Sequence, residues 1–122
     1  MPGPEVCSPV RALPRATGGG GAEVTVSAQE PVFAGHYPGF PILPGVCVVE
    51  FVRLAASADL PEGWRLTAVE SSRFLSPVLP GDRLTLDLVW SQDGPERRCK
   101  ATASTERGVA ARMRLRFGGA AA

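Results

Sequence analysis

Between residues 65 and 117 apolar and polar side chains alternate with a period of two. Residues 83–92 set Leu84, Leu86, Leu88 and Trp90 on one side. Residues 109–117 set Ala111, Met113, Leu115 and Phe117 on one side and Arg112, Arg114 and Arg116 on the other. Such alternation marks strands with one buried face. It predicts strands at 65–74, 83–92, 97–105 and 109–117, separated by turn residues at 76–82, by Asp93-Gly94-Pro95 and by Arg107-Gly108. Upstream, residues 22–28 alternate and are β-branched, which predicts a further strand. Residues 6–16 alternate weakly around prolines, which suits only an edge strand. Gly18 to Gly21 join these two as a hairpin connection. A phosphate cradle would need a helix and a lysine after the glycines, and neither follows.

The period changes once, over residues 45–58. Val46, Val49, Val52 and Ala56 cover one broad helical face, with Val48, Phe51 and Ala55 beside it. Such a helix is roughly 20 Å long. Only Glu50 and Arg53 carry charge in it, so the segment reads as apolar nearly all round and therefore enclosed. Its valines are indifferent helix formers, so packing must hold it. Residues 59–63 end it. The order is strand, strand, enclosed helix, then four strands. This predicts an α+β domain in which an antiparallel sheet wraps one long central helix. One domain over residues 1–122 is expected, with 1–4 and 118–122 flexible.

Composition narrows the function classes. The net charge of +1 gives no support for bulk nucleic-acid binding. No apolar run reaches the roughly 18 residues of a membrane span, and the N-terminus carries no signal-peptide pattern. Cys7, Cys47 and Cys99 are irregularly spaced and accompany a single histidine. They make no plausible zinc set and read as reduced thiols of a cytoplasmic protein, with no metal expected.

The chemistry concentrates in residues 33–54. The only histidine, His36, lies on a segment that Pro38, Gly39, Pro41 and Pro44 exclude from helix. Fourteen residues later Glu50 stands in the apolar helix, where a carboxylate is costly unless paired or used. The two read as an acid/base pair. Asp82 and Arg73 read as turn and strand-end residues, and Cys47 as a packed small side chain without a histidine to activate it. Arg53 either pairs with a carboxylate across a subunit seam or reaches solvent.

These residues resemble the 3-hydroxyacyl-[acyl-carrier-protein] dehydratases of bacterial fatty-acid synthesis, which have the hot-dog fold. The family signature stands here as Gly35-His36-Tyr37-Pro38, Pro41, Pro44-Gly45-Val46 and Glu50. A second segment stands as Arg73-Phe74, Pro77-Val78 and Pro80-Gly81-Asp82. Leu54 occupies the place of the family's usual glutamine. The resemblance implies water loss from a 3-hydroxyacyl thioester, with His36 as base at the α-carbon and Glu50 handling the hydroxyl. The related isomerase-dehydratases carry Asp at that position, so Glu50 favours simple dehydration. Gly45 opens the helix, where free N–H groups point outward, and its N–H is assigned to the thioester oxygen. Tyr37, Phe40, Pro44 and Val46 are expected to line the substrate tunnel. Arg73, Arg97, Arg98 and Lys100 are expected to meet the acidic acyl carrier protein that brings the acyl chain on phosphopantetheine. No cofactor is implied. The family pairs subunits edge to edge, each site taking His from one chain and acid from the other, so a homodimer or a heterodimer with another hot-dog subunit is expected. A hot-dog thioesterase and a non-catalytic partner subunit remain the alternatives.

Overall fold

The computed structural model describes residues 10–34 and 42–119. Their elements are β1 (Arg15–Gly18), β2 (Gly21–Thr25), α1 (Pro31–Ala34), α2 (Gly45–Ser57), β3 (Arg65–Phe74), β4 (Arg83–Asp93), β5 (Glu96–Thr105) and β6 (Gly108–Gly118). The strands form one six-stranded antiparallel sheet in the order β1-β2-β4-β5-β6-β3, so β1 and β3 are its edges.

The alternation does what its period requires. The inner face presents Val24, Leu84, Leu86, Leu88, Cys99, Met113, Leu115 and Phe117, all buried. Against it α2 buries Cys47, Val48, Phe51, Val52, Ala55 and Ala56. Ala101, Ala103 and Ala111 keep the middle of that face shallow, where the helix seats. Burying a side chain such as Phe51 or Leu86 contributes about 1.5–3 kcal/mol, and this packing holds a valine-rich helix that has no side-chain cap.

The glycine run makes the expected hairpin, with Gly18, Gly19 and Gly20 all at positive φ. Gly20 has a second reason. Its carbonyl accepts from the Leu88 N–H at 2.9 Å, and a Cβ there would sit 2.6 Å from the Leu88 carbonyl oxygen.

Four expectations need correction. The strand read over residues 6–16 is in fact β1 at Arg15–Gly18. Before it, residues 10–14 form no ladder, and residues 6–9 lie outside the described ones. Pro14, just before β1, has no N–H to give a ladder. The buried Glu30 carboxylate takes over, accepting from the Arg11 N–H at 2.7 Å and the Ala12 N–H at 2.9 Å. Secondly, the short helix α1 follows Glu30, where no helix was read. Pro31 opens it, as proline suits a first helical position. Thirdly, Gly118 is not tail: it closes β6, paired with Arg65 and buried. Finally, α2 is not enclosed on every side by this chain, because Val46 is 66% exposed. No helix among the described residues is long and apolar enough to cross a membrane.

Candidate active site

Gly45 starts α2 after Pro44, whose extended backbone (φ −60°, ψ 148°) turns the chain into the helix. The Pro44 carbonyl accepts from the Cys47 and Val48 N–H groups at 2.9 and 3.3 Å. Among the described residues nothing accepts from the Gly45 N–H, so a donor is left at the positive end of a 13-residue helix. The ring of Phe74, at the end of β3, lies flat against this glycine. A Cβ at position 45 would be 2.7 Å from Phe74 Cζ and 2.9 Å from Cε2.

A cavity of about 460 Å³ opens beside this helix end. It is lined by Ile42 to Gly45, Val48, Phe74 to Val78 and Ala110. Its floor is tied in two places. The Leu43 N–H donates to the Val78 carbonyl at 2.8 Å, and the Leu75 N–H donates to the Ala110 carbonyl at 2.7 Å. The turn carrying Val78 is stapled in its own right. The Arg107 guanidinium donates to both Asp82 oxygens at 3.0 and 2.5 Å and to the Pro77 carbonyl at 3.2 Å. The Leu79 N–H donates to Asp82 Oδ2 at 2.7 Å. Asp82 is buried, and the guanidinium of Arg107 beside it holds its carboxyl below the usual range. Asp82 is thus a turn residue, as its motif suggested, and its work is to brace a wall of the cavity.

Of the sequence-predicted site residues, Gly45 and Pro44 line this cavity. Val46 and Glu50 do not. Five residues advance a helix by about 140° from Gly45, so Glu50 lies on the side of α2 away from its own chain's cavity, near the exposed Val46. Its side chain is 13% exposed and paired within the helix. Arg53 Nε donates to Glu50 Oε1 at 2.8 Å and Arg53 Nη2 to Oε2 at 2.6 Å. That hydrogen bonding raises the Arg53 pKa. Arg53 thus pairs one turn back along its own helix while its side chain stays 36% exposed, reaching solvent. Leu54 packs half-buried against the core. Cys47 is wholly buried. Burial foremost, then Glu30 and Glu50, push its thiol pKa up, which disfavours the nucleophilic thiolate. His36, Tyr37 and Phe40 lie outside the described residues.

The four cations expected to meet a carrier do not share one open surface. Arg97 stacks over the Trp64 ring, 4.8 Å from its centroid. Arg98 is bound by Glu70 and Asp93, in a network that also holds Arg116 and Glu96. Arg73 and Lys100 project from the outer face of the sheet beside Arg112 and Arg114. Sequence reading missed those two because it took the arginines of β6 only as the strand's polar side.

One long helix held in a six-stranded antiparallel sheet, with a cavity at the helix N-terminus, defines the hot-dog class. The chain superposes on the dehydratase heterocomplex ApeI:P of Xenorhabdus doucetiae with a TM-score of 0.69 at 21% identity, covering 89% of this chain and 97% of that one. It also superposes on a thioesterase superfamily member from Thermus thermophilus with a TM-score of 0.64 at 20% identity, over 81% and 78% of the two chains. These likenesses fix the fold. A family model described as ApeI dehydratase matches residues 19–113. The chain is 34% identical over 106 residues to the 3-hydroxyacyl-[acyl-carrier-protein] dehydratase FabZ of Coxiella burnetii, covering 68% of this chain and 75% of that protein. It is 40% identical over 72 residues to the FabZ of Myxococcus xanthus, covering 52% and 47%. In that alignment, as in the one with the Nitratidesulfovibrio vulgaris FabZ, the chain spans about half the length of its relative. The chain belongs to the ApeI-like dehydratase family.

Proposed function

We propose that this protein removes water from 3-hydroxyacyl thioesters carried on acyl carrier protein, giving the trans-2-enoyl thioester, in fatty-acid or polyketide synthesis. One observation carries the reading: Gly45, whose helix-terminal N–H has no acceptor among the described residues, lines a largely apolar cavity, in a chain whose family is that of the dehydratases. The cavity takes the acyl chain near its thioester, and the Gly45 N–H donates to the thioester oxygen as charge grows there. His36 takes the proton from the α-carbon. The bonding pair left behind forms the double bond as the β-carbon to oxygen bond breaks. Glu50 protonates the departing hydroxyl, which leaves as water.

Glu50 faces away from the cavity of its own chain, so it serves the cavity of a second subunit. The β3 edge, which pairs with no second strand among the described residues, and exposed apolar side chains at Val46, Val69 and Phe74 support such pairing. A second reading has its own observation. Arg53 already engages both oxygens of Glu50, which suits a subunit that lends Gly45 and His36 to a heterodimer whose partner supplies the acid. The structural neighbour from Xenorhabdus doucetiae is itself a heterocomplex.

A panel of 3-hydroxyacyl carrier proteins incubated with the purified chain, read by mass, tests both. Loss of one water from the carrier-bound chain is expected. Release of the free acid would make the protein a thioesterase. Loss of water only after a second hot-dog subunit is added would establish the heterodimer, and no reaction in any combination would overturn the assignment.

A further inference from the structure

A glutamate in an apolar helix can be steadied from four positions of that helix, three and four residues before it and three and four after it. Around Glu50 these are Val46, Cys47, Arg53 and Leu54. Val46 and Leu54 have no hydrogen-bond donor, and Cys47 has a weak one in a wholly buried thiol. Arg53 is the strong donor of the four, and it gives two bonds. Its Nε donates to Glu50 Oε1 at 2.8 Å and its Nη2 to Oε2 at 2.6 Å. A glutamate's outer torsion is broad and soft. Two parallel bonds from a planar guanidinium fix the plane of the carboxyl as well as its place. The burial of the two groups differs in the useful direction. Glu50 is 13% exposed and Arg53 36%, so the cation keeps part of its hydration while it serves the drier carboxyl.

We propose that Arg53 is the positioning residue for Glu50, holding the acid in the orientation from which it reaches the substrate's hydroxyl. The inference rests on the dehydratase reading and on Glu50 as its acid. A protonated carboxyl keeps one oxygen that accepts from Arg53 and leaves its O–H for the substrate. When that proton passes to the departing hydroxyl, the carbon–oxygen bond breaks and water leaves. Glu50 is then a carboxylate, and its second oxygen takes up the second Arg53 bond, the arrangement seen here. Negative charge grows on Glu50 during this step. A guanidinium already in place stabilises that charge without rearrangement. Leu54 agrees with this role, because the helix supplies at position 53 the donor that it lacks at 54.

The test uses the full chain, joined by a second hot-dog subunit if turnover requires one, with a 3-hydroxyacyl carrier protein as substrate. Arg53→Met keeps the side-chain stem and removes the fork. Its kcat should fall about a hundredfold, as expected when a reacting group is misplaced by about 1 Å, with KM unchanged. A merely structural role would lower the amount of folded protein and leave kcat per folded site alone. Two rescues are specific to positioning. Arg53→Lys keeps the charge without the fork and should lose only about tenfold. Leu54→Gln added to Arg53→Met places an amide donor at the other position one turn on, and should raise kcat about tenfold over Arg53→Met alone. Should Arg53→Met not fold, Arg53→Lys is read directly against wild type, at the same loss in kcat and the same KM. An unchanged or higher kcat in a folded variant would overturn the inference and leave dehydration intact, since Glu50 would then need no holding or Arg53 would hold it out of use. A loss that neither rescue relieves would overturn it as well. If the wild type dehydrates nothing in any combination, the dehydratase reading fails and the positioning role falls with it.

Discussion

At the scale of single residues, Gly45 does two things at once. It leaves a helix-terminal N–H open to the cavity, and it lets the Phe74 ring lie flat on the backbone. The spacing of the motif revealed the first, because a Pro-Gly pair entering an apolar helix places that donor. The second was not legible, since Phe74 is 29 residues away in sequence and meets Gly45 only through the fold. Gly45→Ala separates these roles from stability. Alanine is the better helix former by about 1 kcal/mol, so thermal unfolding should shift little. The methyl must push the Phe74 ring aside and narrow the approach to the N–H. We expect kcat on a 3-hydroxyacyl carrier protein to fall by up to about a thousandfold, since outright loss of one such donor costs about a hundredfold to a thousandfold. A variant with wild-type kcat would show that the Gly45 N–H does not stabilise the reacting oxygen. Glu50 gives the complementary lesson. Its cost in an apolar helix was plain from sequence, but its partner was not. Arg53 stands three residues on, at a spacing that allows an ion pair without requiring one.

At the scale of elements, β2, β4, β5, β6 and α2 were legible because each follows a clear period, whereas β3 shifts register twice and exposes residues 69–74, so only its extent could be read. The strands' periods also set which side is buried, down to the alternation of Met113 and Leu115 with Arg112 and Arg114. The N-terminal segment was not. Its alternation is real, since Val10 is buried, but a side-chain carboxylate holds it in place of a neighbouring strand. The link between the 77–82 turn and the β5–β6 hairpin was equally hidden, as it joins Asp82 to Arg107 across 25 positions. This staple carries a pH signature. The folded Asp82 carboxyl titrates below its unfolded value of about 3.9. Its contribution is therefore full above about pH 4 and is lost as pH falls through the folded value. Asp82→Asn should lower stability by about 1 kcal/mol at pH 7, below the usual range for a charged hydrogen bond because Arg107 is 45% exposed and screened. The gap in Tm between wild type and variant should narrow steadily below pH 4. A gap that stays constant down to pH 2 would show that the ionised carboxylate is not what holds the turn.

At the scale of the whole molecule, one chain leaves its features unfinished in a consistent direction. Among the described residues the β3 edge is open, and Val46, Val69, Phe74 and Leu75 are exposed. Glu50 and the Gly45 cavity lie on different sides of the same helix. A twofold partner paired along β3 would cover the apolar side chains and bring its own Glu50 to this chain's cavity, where His36 belongs by motif. Symmetry then makes a specific demand. His36→Ala and Glu50→Gln should each abolish dehydration while leaving the fold intact. When the two inactive proteins are mixed and allowed to exchange subunits, a mixed dimer has one site carrying both defects and one site carrying neither. Random pairing makes roughly half of the dimers mixed, so activity should return to about a quarter of wild type if the sites act independently. Native mass measurement reports whether mixed dimers form. Their formation without any return of activity would mean that His36 and Glu50 do not meet across a homodimer seam. The acid would then come from a different subunit, and adding that subunit to the Glu50→Gln protein, whose Gly45 and His36 are unaltered, should restore turnover where a second copy of this chain cannot.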